Sequence, residues 1–563
     1  MTFIWARKNP NGSTDYYLRK TAKINGKSKT VMNIYLGRGD DILKLVMQKR
    51  GVPEEFELIS YPFGTIAAIA DVDSEINFID IVNEITGSTV TAKSILAYLY
   101  GRSEEPISKN AMKEWSGFSI LPFLMEHIPS LSTKSYGRNM DRLTQSAVNR
   151  ITFRIAQRLI EQGHSPSTVF FDTTNFSTEQ QPRGDPDRML PNAGHAKDHN
   201  MQAKLIGLAT AVTDTHIPII HDTYPGNEND SKYFINSVNS MIDTLGKLGV
   251  KCNDLCFVFD KGMNSDRGLT AITGSGAHFI SSLKSNQIGD ILMIEHTDNR
   301  ETYVTEKGEH VYTYRIPMTV MGVKGVVVIA YNKASEERQR KDYEQAKRRY
   351  IEGCERIAMS MGRKQRGREM TIEGIHRRVN ELIPNKWRSV FRYRVGNTVD
   401  NVIDSSTIKL TYWIDSKAEM KKESSFGKTL IFTDREEWDD ERIVRTYYAR
   451  SAMEEDYHVL KDALLFPVMP IYHRLDKRIR AHVFMCVMGL LFYRYIQWKV
   501  ERSTGKRVPI ERLIEQLSRI RLGGLITIDG NARKIKFKLE EMGKEEKEIV
   551  RALNLERFIP KSG

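Results

Sequence analysis

Cysteine is scarce in this chain: four in 563 residues, at Cys252, Cys256, Cys354 and Cys486. So few exclude a disulfide-stapled secreted scaffold and point to a reducing compartment. Cys252 and Cys256 have no second ligand pair at zinc spacing, which leaves them as core or near-core residues. His195 and His199 also lack a third ligand and read as phosphate or backbone contacts rather than a metal pair. The first ten residues, with Arg7 and Lys8 among them, have no apolar run of the secretory type. The most apolar stretch, His482 to Trp498, contains Arg494 and is short for a membrane span, so a buried helix is expected. Acid is also in deficit: 84 Lys and Arg against 71 Asp and Glu give a net charge of +13. That excess favours an anionic partner, and without a basic amphipathic terminus nucleic acid suits it better than a membrane surface.

What is present points to phosphodiester chemistry. Tyr447, Arg450, Glu454 and Lys461 follow the pattern Tyr-x2-Arg-x3-Glu-x6-Lys. On one continuous helix they would project at about 0°, −60°, −20° and −40°, a single narrow stripe. An aromatic hydroxyl, two cations and a carboxylate aimed together suit a metal-bound phosphodiester, although a solvated face with i,i+4 ion pairs would look the same in isolation. Upstream, Thr168-Val-Phe-Phe-Asp172 and Leu255-Cys-Phe-Val-Phe-Asp260 read as buried strands, each closing on an acid. Ligands of open α/β sheets bind at that end of the strands. Asp172, Asp260 and Glu454 together make a three-carboxylate set suited to magnesium.

These residues resemble the DDE transposases of prokaryotic insertion sequences, in the subgroup with the Y-R-E-K signature. Gly194-His-Ala-Lys-Asp-His199, Tyr224-Pro-Gly-Asn-Glu-Asn-Asp230 and His278-Phe-Ile-Ser-Ser-Leu-Lys284 are similar to that group as well. The likeness covers about residues 160–285 and 425–500, and departs at Asp260-Lys-Gly-Met, where relatives often carry Arg-Gly after a small residue. It implies an α/β fold: a ribonuclease-H-like catalytic domain interrupted by a long β-rich insertion, with a mixed N-terminal domain and a small C-terminal extension. The expected segments are 1–158 (hairpin plus helices, DNA-end binding), 159–284 and 426–500 (the catalytic halves), 285–425 (the insertion) and 501–563 (the extension). The expected strand order in the first half is three strands, a helix, then strands ending at Asp260 and near Lys284.

The resemblance further implies catalysis and metal binding by Asp172, Asp260 and Glu454, with two magnesium ions, or manganese in their place, flanking an in-line displacement. Asp172 would bridge both ions, with Asp260 completing one site and Glu454 the other. Arg450 and Lys461 would grip phosphates near the cleaved end while Tyr447 bonds or stacks there. Within the insertion Lys347, Arg348, Arg349, Arg363, Lys364, Arg366 and Arg368 form a basic cluster. Such a run can be a solvated face; beside an acid triad, contact with the DNA backbone is the expectation. The implied enzyme cleaves and joins double-stranded DNA at terminal inverted repeats, works as a homodimer in a synaptic complex, and is cytoplasmic and nucleoid-associated. A metal-dependent nuclease on the same fold, or a non-catalytic DNA-binding descendant, are the alternatives.

Overall fold

The computed structural model describes residues 2–561 apart from 11, 25–26, 51–55, 181–188, 195–203, 229, 285–299, 306–307, 362–370, 398–407, 464 and 530–531. The chain divides into two compact units, one comprising 152–458 with 470–476, the other 1–151, 459–469 and 477–563.

The first unit is built on a ten-stranded mixed sheet. Its strands are β1 (Thr168–Thr178), β2 (Lys204–Val212), β3 (Pro218–Pro225), β4 (Cys256–Phe259), β5 (His278–Ser282), β6 (Arg300–Val304), β7 (His310–Val320), β8 (Val323–Asn332) and β9 (Lys428–Thr433), with a two-residue strand Asn192–Ala193 at one edge. Across the sheet the order is β6-β7-β8-β9-β5-β4-β1-β2, with β3 also paired to β2. β1, β4 and β5 run parallel. Parallel neighbours need long connections, supplied here by the helices Asp230–Lys247 and Asp266–Gly274. A parallel strand covered on both faces reads as a continuous apolar run, and Cys256, Phe257, Val258 and Phe259 are all fully buried. Each Phe so buried contributes roughly 1.5–3 kcal/mol.

The pairing register explains how two distant acids meet. Thr168 is opposite Cys256 and Phe170 opposite Val258. Two residues further along, on the same face, the same offset brings Asp172 beside Asp260, where β4 has just ended. β1 itself continues to Thr178 because its other edge stays paired with β2, Asp172 lying opposite Thr210. Asp172 is therefore the fifth residue of an eleven-residue strand and not its last, contrary to the expectation of an acid at the strand end. Asp260 does follow the last residue of its strand and opens a 3-10 turn, Lys261–Met263.

The first strands between the two sequence halves join the main sheet, while a later pair stands apart from it. β6, β7 and β8 extend the main sheet, and β9 wedges between β8 and β5, antiparallel to both. The remainder is a lobe of helices Lys333–Ser360, Ile372–Leu382 and Ser416–Glu423 and an antiparallel pair, Phe391–Asn397 with Ile408–Ile414. An aromatic core of Tyr343, Tyr350, Trp387, Phe391 and Phe426 holds the lobe, with the Tyr350 and Phe391 rings stacked at 4.7 Å.

The second unit opens with a three-stranded antiparallel sheet, Thr2–Lys8, Thr14–Ile24 and Lys27–Gly37. The Asn25-Gly26 turn lies outside the described residues, but Ile24 and Lys27 pair across it, as a hairpin requires. A second sheet joins Phe56–Pro62 to Arg521–Asp529 and Ala532–Leu539, pairing segments more than 450 residues apart in sequence. The core of this unit is the helix Asp476–Thr504, the one helix among the described residues long and apolar enough to cross a membrane. Its most apolar window is 94% buried inside the protein, as expected for a core helix. Inside, Arg494 donates to Gln497 Oε1 at 2.7 Å. The expected segment 426–500 is thus shared between the two units.

Candidate active site

Tyr447, Arg450 and Glu454 do not lie on one continuous helix. One helix spans Asp440–Ala449 and a second Ala452–Lys461. Through the junction the amides bond three residues back instead of four: Arg450 to Tyr447, Ser451 to Tyr448, Met453 to Arg450 and Glu454 to Ser451. This tighter winding breaks the 100° periodicity, so the four-residue stripe computed for an unbroken helix does not carry across it. Arg450 is the residue that caps the first helix at this break.

Arg450 is the electrostatic centre of the site. Its Nη1 lies 3.8 Å from Asp172 Oδ2 and its Nη2 3.7 Å from Asp260 Oδ1. Burial works against the guanidinium's charge, but Tyr447, Asp172, Asp260 and Glu454 together outweigh it and raise the pKa. All three candidate acids therefore act on one cation. The Nε of Arg450 is buried and has no hydrogen-bond partner among the described residues.

Tyr447 is buried in the core beneath the site. Burial raises its hydroxyl pKa, offset in part by a hydrogen bond with Ser282, which ends β5 one register step from Asp260. Its ring lies 5.8 Å from the Arg450 guanidinium. Lys461 closes the second helix and belongs to the other compact unit. Tyr457, which sequence reasoning passed over, braces the first acid: its hydroxyl donates to the backbone carbonyl of Asp172 at 2.7 Å and is 2.7 Å from the Thr210 hydroxyl. Its place three residues after Glu454 was the one available signal, since i and i+3 share a helix face.

Asp260, Glu454 and Arg450 open onto a cleft of about 760 Å³ that runs to the insertion lobe. Five lysines line it, Lys261, Lys284, Lys386, Lys422 and Lys428, with Trp387 and Phe426 at the far side. The ammonium groups of Lys386 and Lys422 sit 5.4 and 5.8 Å from the Trp387 ring. Burial lowers the pKa of Lys428. These lysines are scattered in sequence, so no basic run announced them. The run that did stand out divides differently. Lys347 Nζ is 2.7 Å from Glu419 and its charge is met within the lobe; Arg348 and Arg349 are exposed. Arg363, Lys364, Arg366 and Arg368 lie outside the described residues, as do His195 and His199.

Among the described residues no three His, Cys, Asp or Glu side chains are close enough together to hold a metal ion. The acids are spread around a guanidinium. In chemistry they nevertheless fit a hard dication: the donors are all carboxylate oxygens, and the space they share holds a cation.

Acids of distant sequence origin thus face one cation beside a lysine-lined cleft. A family model described as "Transposase DDE domain" matches residues 163–491. The chain belongs to the DDE transposase family, which gives it a transposase role and DNA as its partner. No curated protein matches it.

Proposed function

We propose that the protein cuts double-stranded DNA at the terminal inverted repeats of an insertion sequence and joins the freed ends to a target by phosphoryl transfer. The observation that carries this reading is the convergence of Asp172, Asp260 and Glu454 on Arg450. The order β3-β2-β1-β4-β5, with β1, β4 and β5 parallel, supports a ribonuclease-H-like catalytic domain. The spacing of Tyr447, Arg450, Glu454 and Lys461 supports the Y-R-E-K subgroup.

Asp172, Asp260 and Glu454 are the residues that would hold magnesium, two ions or manganese in their place. Bound there, the metal would neutralise the phosphate and activate the attacking oxygen, first of water and then of the freed 3′-hydroxyl. The chain's own groups do the rest. Arg450 turns its guanidinium to a phosphate oxygen, a bidentate match for that geometry. Tyr457 and the β1–β2 pairing fix the backbone that carries Asp172. Lys284, Lys422 and Lys428 line the route of the strand away from the acids and hold its phosphates, whereas Lys386 is ion-paired with Asp342 in the same cleft. Joining two ends calls for two catalytic centres, hence a homodimer in the synaptic complex.

Asp260→Ala should abolish cleavage of an element-end duplex and leave gel-shift affinity for that duplex within a few-fold. Cleavage at the wild-type rate would remove Asp260 from the site. Supplying pre-cleaved ends separates joining from cutting: a protein that cuts but never transfers the strand is a nuclease.

A further inference from the structure

One face of the N-terminal three-stranded sheet carries a constellation that the acid site does not use. Strand alternation puts Trp5, Tyr17 and Tyr35 in one row across the sheet, in register, while Ile4, Leu18 and Ile34 row the opposite face. The rings touch in sequence, Trp5 to Tyr17 at 5.4 Å and Tyr17 to Tyr35 at 5.2 Å. Arg19, two residues along from Tyr17, lays its guanidinium 3.4 Å over the Trp5 ring. Its Nε donates to Oδ1 of Asn33 on the neighbouring strand at 2.9 Å. Arg7 and Asn33 are exposed, and Tyr35 is 55% exposed. Residues 1–37 hold seven Lys and Arg against a single acid, Asp15.

We propose that this face docks double-stranded DNA in the major groove and reads base edges with Arg19 and Asn33. Charge selects the occupant: a sheet with seven cations and one acid repels a basic or neutral partner and attracts a phosphate backbone. The side chains select the mode. Arg bidentate to guanine and Asn bidentate to adenine are the strongest base readers, and here they stand side by side on adjacent strands. Three strands about 4.8 Å apart span about 10 Å between outer axes, close to the roughly 12 Å width of the major groove. Stacking on unpaired bases is disfavoured, because the Trp5 face is already taken by Arg19 and each ring packs on the next. The aromatic row is a rigid backing that holds the guanidinium fork and limits the entropy lost when it binds. Arg7, on the same face as Trp5, remains for phosphates, which set position and carry no sequence information.

This inference rests on the transposase reading, because the duplex to be read is the element's own terminus. Full-length protein is titrated by fluorescence anisotropy against two duplexes at one salt concentration: the terminal sequence flanking the coding region, and a scrambled version of it. Wild type should prefer the terminal duplex. Arg19→Ala and Asn33→Ala should each bind it about 10- to 100-fold more weakly and keep their affinity for the scrambled duplex within about three-fold. Arg19→Lys keeps the charge without the fork; it should lose the preference while retaining the salt dependence, which a merely unfolded sheet would not do. Variants that bind the terminal duplex as wild type does overturn the proposal, as does a wild type without preference. Cleavage of the terminal duplex by the wild-type protein is run alongside. If it proceeds while the variants bind normally, only the groove-reading face is lost; if it fails, the transposition reading falls with it.

Discussion

Replacing Arg450 by glutamine tests the electrostatic logic of the site more directly than removing an acid. The guanidinium stands 3.8 Å from Asp172 and 3.7 Å from Asp260. At those distances each attraction is roughly 4 kcal/mol at an effective dielectric of about 20, and much of it offsets desolvation. Taking one partner from a buried ion pair costs about 3–5 kcal/mol, because the other charge is stranded. Asp172 is 15% exposed and Asp260 38% exposed, so solvent screens the second pair and the net loss should be about 2 kcal/mol. For a domain of this size that lowers the thermal midpoint in EDTA by roughly 4 °C. Magnesium should then stabilise the variant more than the wild type. A dication at about a hundred times its Kd adds about 2.7 kcal/mol, and in Arg450→Gln it meets no resident cation to displace. Scanning fluorimetry with EDTA and with a magnesium series reads both effects without any turnover. Cleavage should still fall at least about 100-fold, because the phosphate loses its bidentate partner. Equal midpoints in EDTA and equal magnesium shifts for the two proteins would refute the idea that Arg450 is the counter-ion of the acids.

Three other outcomes follow from particular contacts. Lys428→Ala, in the cleft wall, should weaken binding of all duplexes alike and reduce the slope of log affinity against log salt by about one unit; an unchanged slope takes Lys428 off the DNA path. Burial raises the Glu104 carboxyl to about 7, although Trp115 donates to it at 3.0 Å. The folded state therefore favours the protonated acid, a stabilisation that is whole below about pH 4 and lost as pH rises through 7. Glu104→Gln should match wild type in urea titrations at pH 4 and exceed it at pH 8 by on the order of 2 kcal/mol; a difference independent of pH would show another cause. In the central helix a Cβ on Gly489 would come within 2.5 Å of the Phe466 ring, so Gly489→Ala should cost about 1–3 kcal/mol by denaturant unfolding.

What the sequence disclosed and what it hid divide along the range of the interactions involved. The central strands of the larger unit were legible because parallel strands buried on both faces are short apolar runs, as in Cys256–Phe259. The core helix Asp476–Thr504 was legible for an equally local reason: its stretch from His482 to Trp498 is strongly apolar and short for a membrane span. Three features depended on partners far along the chain. β1 runs past Asp172 because β2 continues to pair with it through Thr178, whereas the apolar pattern stops at Phe171. The insertion strands looked like a separate module, since nothing within Lys428–Thr433 reveals that it inserts between β8 and β5. The helix break at Arg450 and Ser451 has no proline or glycine to mark it. That last case bears most on function. An unbroken helix would have carried Arg450 along the same stripe as Glu454 and Lys461; the three-residue winding instead sets the guanidinium between two strand-borne acids. Tyr447, Arg450 and Glu454 still face one site, but they do so because the helix is interrupted between them, a condition that spacing alone does not encode. The lysine cleft follows the same rule: Lys284, Lys386, Lys422 and Lys428 are far apart in sequence, and only the folding of the lobe against the sheet extension makes them one surface.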